Sequence, residues 1–401
     1  LQSTMGAVVM LHSRGTFRLY VMFLEMKKTF LPLIALLILC LSQSCKSNDD
    51  LTPTDTVDLD DDKTTAVIND TYTYQLPVIF HVFYKNARDT AQYIRDGRLR
   101  MLLNRVNEIY QGGIYGESEN LNVRFLPATH DEHGRKLSTP GVEYILYDGT
   151  FPVDQEKFIS SSDNRKYLWD LNEYINVMVF PFTGSSNSEL SNVLGITSLP
   201  IMKDDEHAQE GLQKVDTKGY SLTKANLKYT HCTCLNSSYV YQESNRYGAD
   251  KGRYGYTYRT TDANVTLAHE LGHYLGLTHV FAEDKNGYSD NCMDTDHCED
   301  TPSYNRIEYE TNLQQILNTA TGTLSVEDLA RRSPCSGEPY ISANIMDYAV
   351  TLAYKISRNQ KERMRQVLYY GLLMPGPRKD KTTRAARTAS DIVVEHGTFA
   401  Y

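Results

Sequence analysis

Residues 76–84 (LPVIFHVFY) are almost unbroken in apolar, β-branched and aromatic side chains, the pattern of a strand buried on both faces. Leu99, Leu102, Leu103, Val106 and Ile109 then recur at intervals of three and four, which predicts an amphipathic helix over 96–110. Leu121, Val123 and Phe125 alternate with Asn122 and Arg124, as in a half-buried strand. Further strands are expected at 142–146, 175–180 and 193–199, with a short helix at 167–173. From 201 to 262 the chain turns polar and rich in Gly and Tyr without a period, which reads as a long insertion over the surface. Helical spacing resumes at 265–275 and again at 357–372, where Met364, Val367, Leu368 and Leu372 share one side until Pro375 and Pro377 end it. The whole predicts one α+β domain over 72–375, followed by a disordered basic tail at 376–401.

The first seventy-one residues carry a different pattern. Met26, Lys27 and Lys28 precede an apolar run at 30–41, and then come Ser42, Gln43, Ser44 and Cys45. A positive start, a short apolar run and small residues make a secretory signal, too short for a membrane span. Residues 1–25 are then expected to be an extension upstream of the true start. Cys45 stands where bacterial lipoprotein signals place the lipidated cysteine, with Cys40 a competing site. The acidic, Thr-rich stretch 46–71 has too few apolar residues to pack and reads as a flexible tether. Its start resembles the export signals of Bacteroidetes surface lipoproteins, which implies an exported protein anchored to the outer membrane through Cys45.

A formal charge of −9 argues against a nucleic-acid partner, since neutralising phosphates needs a basic face. Five cysteines remain beyond the signal: Cys232, Cys234, Cys292, Cys298 and Cys335. In an oxidising compartment they suggest one or two disulfides. Cys232 and Cys234 are too close in sequence for an easy bridge, so Cys335 is expected to pair with Cys292 or Cys298, free buried thiols being the alternative.

The chemistry concentrates at 266–279 (TLAHELGHYLGLTH). On a helix, His269 and His273 project from one face a turn apart, which suits two ligands of one tetrahedral zinc. Glu270 adjoins the first ligand and is placed to act as a base. A straight helix would carry His279 roughly 15 Å along the axis from His269. Gly276 must therefore break the helix in a left-handed conformation for His279 to become the third ligand.

This extended pattern resembles the metzincin metallopeptidases, and within them the pappalysin branch. Asn344, Ile345, Met346, Asp347 and Tyr348 match the family's methionine turn, residues 76–84 its opening strand, and Asp300, Thr301 and Pro302 with Gln360, Arg363 and Met364 its downstream signatures. The chain is also similar to Bacteroidetes zinc-dependent metalloproteinase lipoproteins. The resemblance implies a metzincin-like zincin domain with a twisted mixed sheet, an active-site helix and a methionine turn. It implies a zinc endopeptidase acting on protein or peptide, with His269, His273 and His279 on the metal and Glu270 as general base and acid. Met346 would floor the site, and Tyr348 would reach the metal or the oxyanion. The cysteine pattern and the long 201–262 stretch depart from the family. Strand 193–199 could be the edge to which an extended peptide adds. Asp294, Asp296, Asp300 and Thr301 lie in an acidic loop where relatives carry calcium, which favours oxygen ligands, though a solvated loop reads almost equally well. His81 and His297 read as packed or surface histidines. Two other functions fit the motif: a binding or adhesion lipoprotein without turnover, and a zinc hydrolase of a non-peptide bond.

Overall fold

Strand β1 (Tyr74–Tyr84) lies at the heart of a seven-stranded sheet. It pairs in parallel with β2 (Val123–Pro127) over 74–78, with β3 (Val142–Leu146) over 80–84, and with β4 (Ile175–Phe180) over 78–82. Its apolar run is continuous because both faces are covered. Leu76, Val78, Phe80 and Val82 share one core with Leu99, Leu102 and Val106 of α1 (Asp96–Gln111) and with Leu267 and Leu271 of α3 (Ala263–Tyr274). On the other face Phe83 packs with Met178, Phe180 and Phe158 of α2 (Gln155–Ser160). His81 shares that second face as a packed residue, 2.7 Å from Glu143 and 2.9 Å from the Asn176 side-chain oxygen. The computed structural model describes residues 71–184, 193–217, 222–244, 258–283, 289–322, 324–376 and 392–401. The expected extension, the signal at 26–45, Cys45 and the tether up to residue 70 lie outside them. No helix among the described residues is long and apolar enough to cross a membrane.

The sheet runs β12–β5–β8–β4–β1–β2, with β3 also on β1, and it is mixed. Strand β5 (Gly195–Ser198) is antiparallel to β8 (Thr233–Asn236), and β12 (Phe399–Ala400) is antiparallel to β5. Two smaller strands, β6 (Ile201–Lys203) and β7 (Gln213–Val215), pair in parallel outside this sheet. The stretch expected to be a surface insertion is therefore partly interior. All four residues of β8 are buried between β4 and β5. Its polar members have partners: Thr233 meets the Thr197 hydroxyl at 3.2 Å, and the Asn236 amide donates to Val193 O at 3.0 Å. Buried polar groups that are paired tertiarily leave no apolar period to read.

Two more expectations need correction, and one region goes beyond them. No helix forms over 167–173. Asp154 instead caps α2, and Ser161 caps a 3-10 turn at Ser162–Tyr167, so short-range capping sets the helical residues earlier. Residues 392–401, expected to be disordered, join the fold through β12 and through Val394, whose N–H donates to Asn226 O at 2.8 Å. The 301–340 region, where no element was foreseen, holds α4 (Arg306–Thr319), capped by Asn305, then α5 (Val326–Leu329) and β9 (Arg331–Arg332). Strand β9 pairs with β10 (Tyr340–Ile341), while α6 (Arg358–Tyr370) and β11 (Gly371–Leu372) close the helical side.

Of the open cysteine alternatives, Cys292 bridges Cys335, and Cys298, Cys232 and Cys234 are buried free thiols. A bridge spanning 43 residues restricts the unfolded chain by about 4 kcal/mol in the chain-entropy account.

Candidate metal centre

Helix α3 starts where the Asp262 side chain accepts the Asn264 N–H, and it stops at a glycine. Gly276 has φ +93°, and a Cβ there would lie 2.7 Å from Val367 Cγ2 of α6. Conformation and space both demand glycine at this position. Leu277 N–H folds back to Gly272 O at 3.0 Å, and the chain turns so that His279 faces the helix.

The three Nε2 atoms then form a small triangle. His269 lies 3.0 Å from His273 and 3.2 Å from His279, and His273 lies 3.1 Å from His279. Zinc–nitrogen bonds of about 2.0–2.1 Å at tetrahedral angles put ligands roughly 3.3–3.4 Å apart, so the trio fits a zinc ion with little adjustment. The outer nitrogens explain why these facing atoms are free to bind. His269 Nδ1 donates to Ile345 O at 2.6 Å and His273 Nδ1 to Leu277 O at 2.8 Å. A carbonyl only accepts, so the proton resides on Nδ1 and the Nε2 lone pair points inward. His279 Nδ1 lies 2.8 Å from Glu283 Oε1, although not aligned for a hydrogen bond. Burial, then the neighbouring His279, pushes the His269 pKa down to about 3, and burial with both neighbours pushes His273 well below its ordinary value. Among the described residues, no other group of His, Cys, Asp or Glu converges in this way.

Glu270 is buried, and its Oε2 accepts the Thr197 hydroxyl of β5 at 2.6 Å. Burial raises its pKa to about 8, and the Thr197 donor acts in the opposite sense. A side chain at Gly195 would put its Cβ 2.3 Å from Glu270 Oε1, so β5 reserves space for this carboxylate. Met346 packs beneath α3: its sulfur would lie 2.5 Å from a Cβ at Gly272. The Tyr348 ring centroid is 4.3 Å from that of His279 and 5.5 Å from that of His269. Its hydroxyl donates to the Tyr401 carbonyl oxygen, which itself lies 3.0 Å from His279 Nε2 and 3.3 Å from His269 Nε2.

With this geometry in place, a family comparison falls on the same residues. The peptidase family model described as pregnancy-associated plasma protein-A matches residues 247–369, which include the trio, Glu270 and the methionine turn. Over that segment the chain is similar to the pappalysin-like metzincins. Among solved structures it is similar to Tannerella forsythia mature mirolysin in complex with a cleaved peptide, at 20% identity and TM-score 0.46, covering 73% of this chain and 90% of that one. Mirolysin in complex with compound 9 matches at 20% identity and TM-score 0.46, covering 74% and 92%. A promirolysin mutant of Tannerella forsythia matches at 19% and 0.45, covering 74% and 81%. No curated protein matches the chain.

Several groups supporting the site had no signal in the sequence. Thr197 and Glu283 touch site residues from outside the motif. Arg332 and Asp347, both wholly buried, pair at 3.1 Å, and Arg332 Nη2 donates to Tyr348 O at 3.0 Å, which fixes the methionine turn from below. The only hint was a charged residue at an otherwise structural turn. Of the residues expected around calcium, Asp294, Asp296 and Thr301 contact one another, whereas Asp300 turns to α6. Asp300 accepts Ser357 Oγ at 2.6 Å and Asn359 N–H at 3.0 Å at the start of α6. Asp296 accepts Cys298 N–H at 2.9 Å and the Thr301 hydroxyl, while Asp294 accepts Asp296 N–H at 3.3 Å. These carboxylates serve internal hydrogen bonds, and burial pushes the Asp296 pKa up to about 7.

Proposed function

We propose that this chain is a metzincin-type, zinc-dependent endopeptidase in which His269, His273 and His279 hold the metal and Glu270 handles the proton. The observation that carries the reading is the triangle of inward Nε2 atoms, two of them fixed by outward Nδ1–H donation to main-chain oxygens. When bound, zinc supplies Lewis acidity toward water and toward a peptide carbonyl. Glu270, held by Thr197 and excluded from bulk solvent, takes the proton from the attacking water and returns it to the departing amine. Tyr348 donates its hydroxyl to the acyl oxygen as negative charge develops there. Strand β5 receives an extended peptide on its outer edge through main-chain hydrogen bonds, which suits a broad range of sequences. Purified protein should hold one zinc per chain and cleave denatured casein, and a chelator should abolish cleavage until zinc is returned. Zinc binding without turnover on any protein would instead favour a binding protein.

We also propose that the protein is exported and anchored through Cys45. The 26–45 signal pattern supports this, as does a disulfide between Cys292 and Cys335, since such bonds persist in oxidising compartments. Cells expressing the chain should incorporate labelled palmitate into it. Cys45→Ala should remove the label and release the protein from the membrane fraction; undiminished labelling would rule Cys45 out.

A further inference from the structure

Residues 392–401 are held at two places. At the first, Val394 bridges to segment 226–228: its N–H donates to Asn226 O at 2.8 Å and its carbonyl accepts Lys228 N–H at 2.9 Å, while the Asn226 amide reaches Ile392 O at 2.8 Å. The second is the outer edge of β5, where β12 sets Phe399 beside Ser198 and Ala400 beside Thr197, and Leu199 N–H donates to Thr398 O at 2.8 Å. Thr197 is also the residue whose hydroxyl holds Glu270. Side chains add to the attachment. Phe399 meets Tyr229 edge-on at 5.8 Å, and the Tyr401 phenol lies beside Glu156.

An extended peptide adds to a sheet edge through its main chain, and here the protein supplies that peptide itself. The Tyr401 carbonyl oxygen reaches the histidine trio and accepts the Tyr348 hydroxyl, the position that the acyl oxygen of a bond under attack would take. Thr398, Phe399 and Ala400 therefore fill the half of the cleft meant for substrate residues preceding the cut. We propose that residues 394–401 are a tethered, peptide-like ligand of this protein's own substrate edge, which must leave β5 before another peptide can be cleaved. The last clause rests on the protease reading; the docking does not. Tyr401 remains 40% exposed and Phe399 is only half-buried, so the segment is an exchangeable occupant rather than a permanent plug. Its strength comes from tethering, because a short linkage supplies an effective concentration on the order of millimolar.

The test compares the full chain with a variant ending at Gly397, which keeps the Val394 clamp and loses Thr398 to Tyr401. A fluorescein-labelled peptide with the sequence of 394–401 (VEHGTFAY) serves as probe, read by polarisation in chelator and again in zinc. The shortened variant should bind it at least about tenfold more tightly than the full chain. The Leu199 amide should also exchange its hydrogen faster in the shortened variant. Full-length Phe399→Asp, which sets a carboxylate against Tyr229, should behave like the shortened form. In peptide cleavage, both variants should show a KM lowered by about tenfold with kcat within about twofold of the parent. Equal probe binding by full and shortened chains, or no binding to either, would overturn the proposal. Should no form cleave any peptide, the protease reading fails, while the binding and exchange differences still decide the docking.

Discussion

Replacing Glu270 by Gln is expected to lower kcat by at least about 10³-fold while leaving zinc content and KM nearly unchanged. The substitution keeps the side chain's shape in a space bounded by Gly195 and retains an acceptor for the Thr197 hydroxyl. What it removes is the only function that shape cannot replace, the capacity to take a proton from water. Because Glu270 is not one of the three converging ligands, metal binding should persist. Metal analysis, steady-state kinetics and thermal unfolding on the same preparation separate these effects. Activity within tenfold of the parent, at equal zinc content, would mean that another group accepts the proton.

Asp347→Asn should destabilise the fold by about 3–5 kcal/mol, because it leaves the guanidinium of Arg332 buried without its counter-charge. Arg332 is wholly buried and pairs with Asp347 at 3.1 Å. Its guanidinium carbon lies 3.6 Å from the Tyr309 ring centroid and 5.1 Å from that of Tyr304. Nε and Nη1 have no hydrogen-bond acceptor among the described residues, so the charge depends on the carboxylate and the ring faces. Burial opposes that charge, yet Asp347, Tyr304 and Tyr309 together hold the Arg332 pKa above its ordinary value. Asp347 also accepts from Tyr304, Ser342 and the Tyr348 N–H, so the turn that positions Ile345 O and Tyr348 should loosen. Zinc affinity should fall by about 10–100-fold as His269 loses its fixed acceptor. The double variant Asp347→Asn/Arg332→Met should recover part of the stability, since it removes the stranded charge as well. Denaturant unfolding measures both; a double variant no more stable than Asp347→Asn alone would show that the charge is not the cause.

Much of the site was legible because it is local. His269, Glu270 and His273 lie within one helical turn and a half, and Gly276 announces the break that returns His279. Strands with a strong apolar run behaved likewise: 142–146 and 175–180 form with the bounds that their pattern predicts. Elements were missed where periodicity was weak. Helix α4 buries only Leu313 and so carries no apolar stripe, and β8 is a buried strand built largely from Thr, Cys and Asn. The 167–173 segment failed for a different reason, since Asp154 and Ser161 spend their side chains starting helices upstream of it.

The amino-acid order by itself determined which residues could surround a metal, which carboxylate stands beside it, and where the central strands run, because each rests on neighbours a few positions apart. Only tertiary structure decided that Thr197 holds Glu270 across 73 positions, that Cys335 takes Cys292 rather than Cys298, and that Tyr401 returns to the histidines. Such partners meet only when distant segments are brought to one sheet edge or one turn. Nothing in a local spacing encodes the distance between two side chains so far apart along the chain.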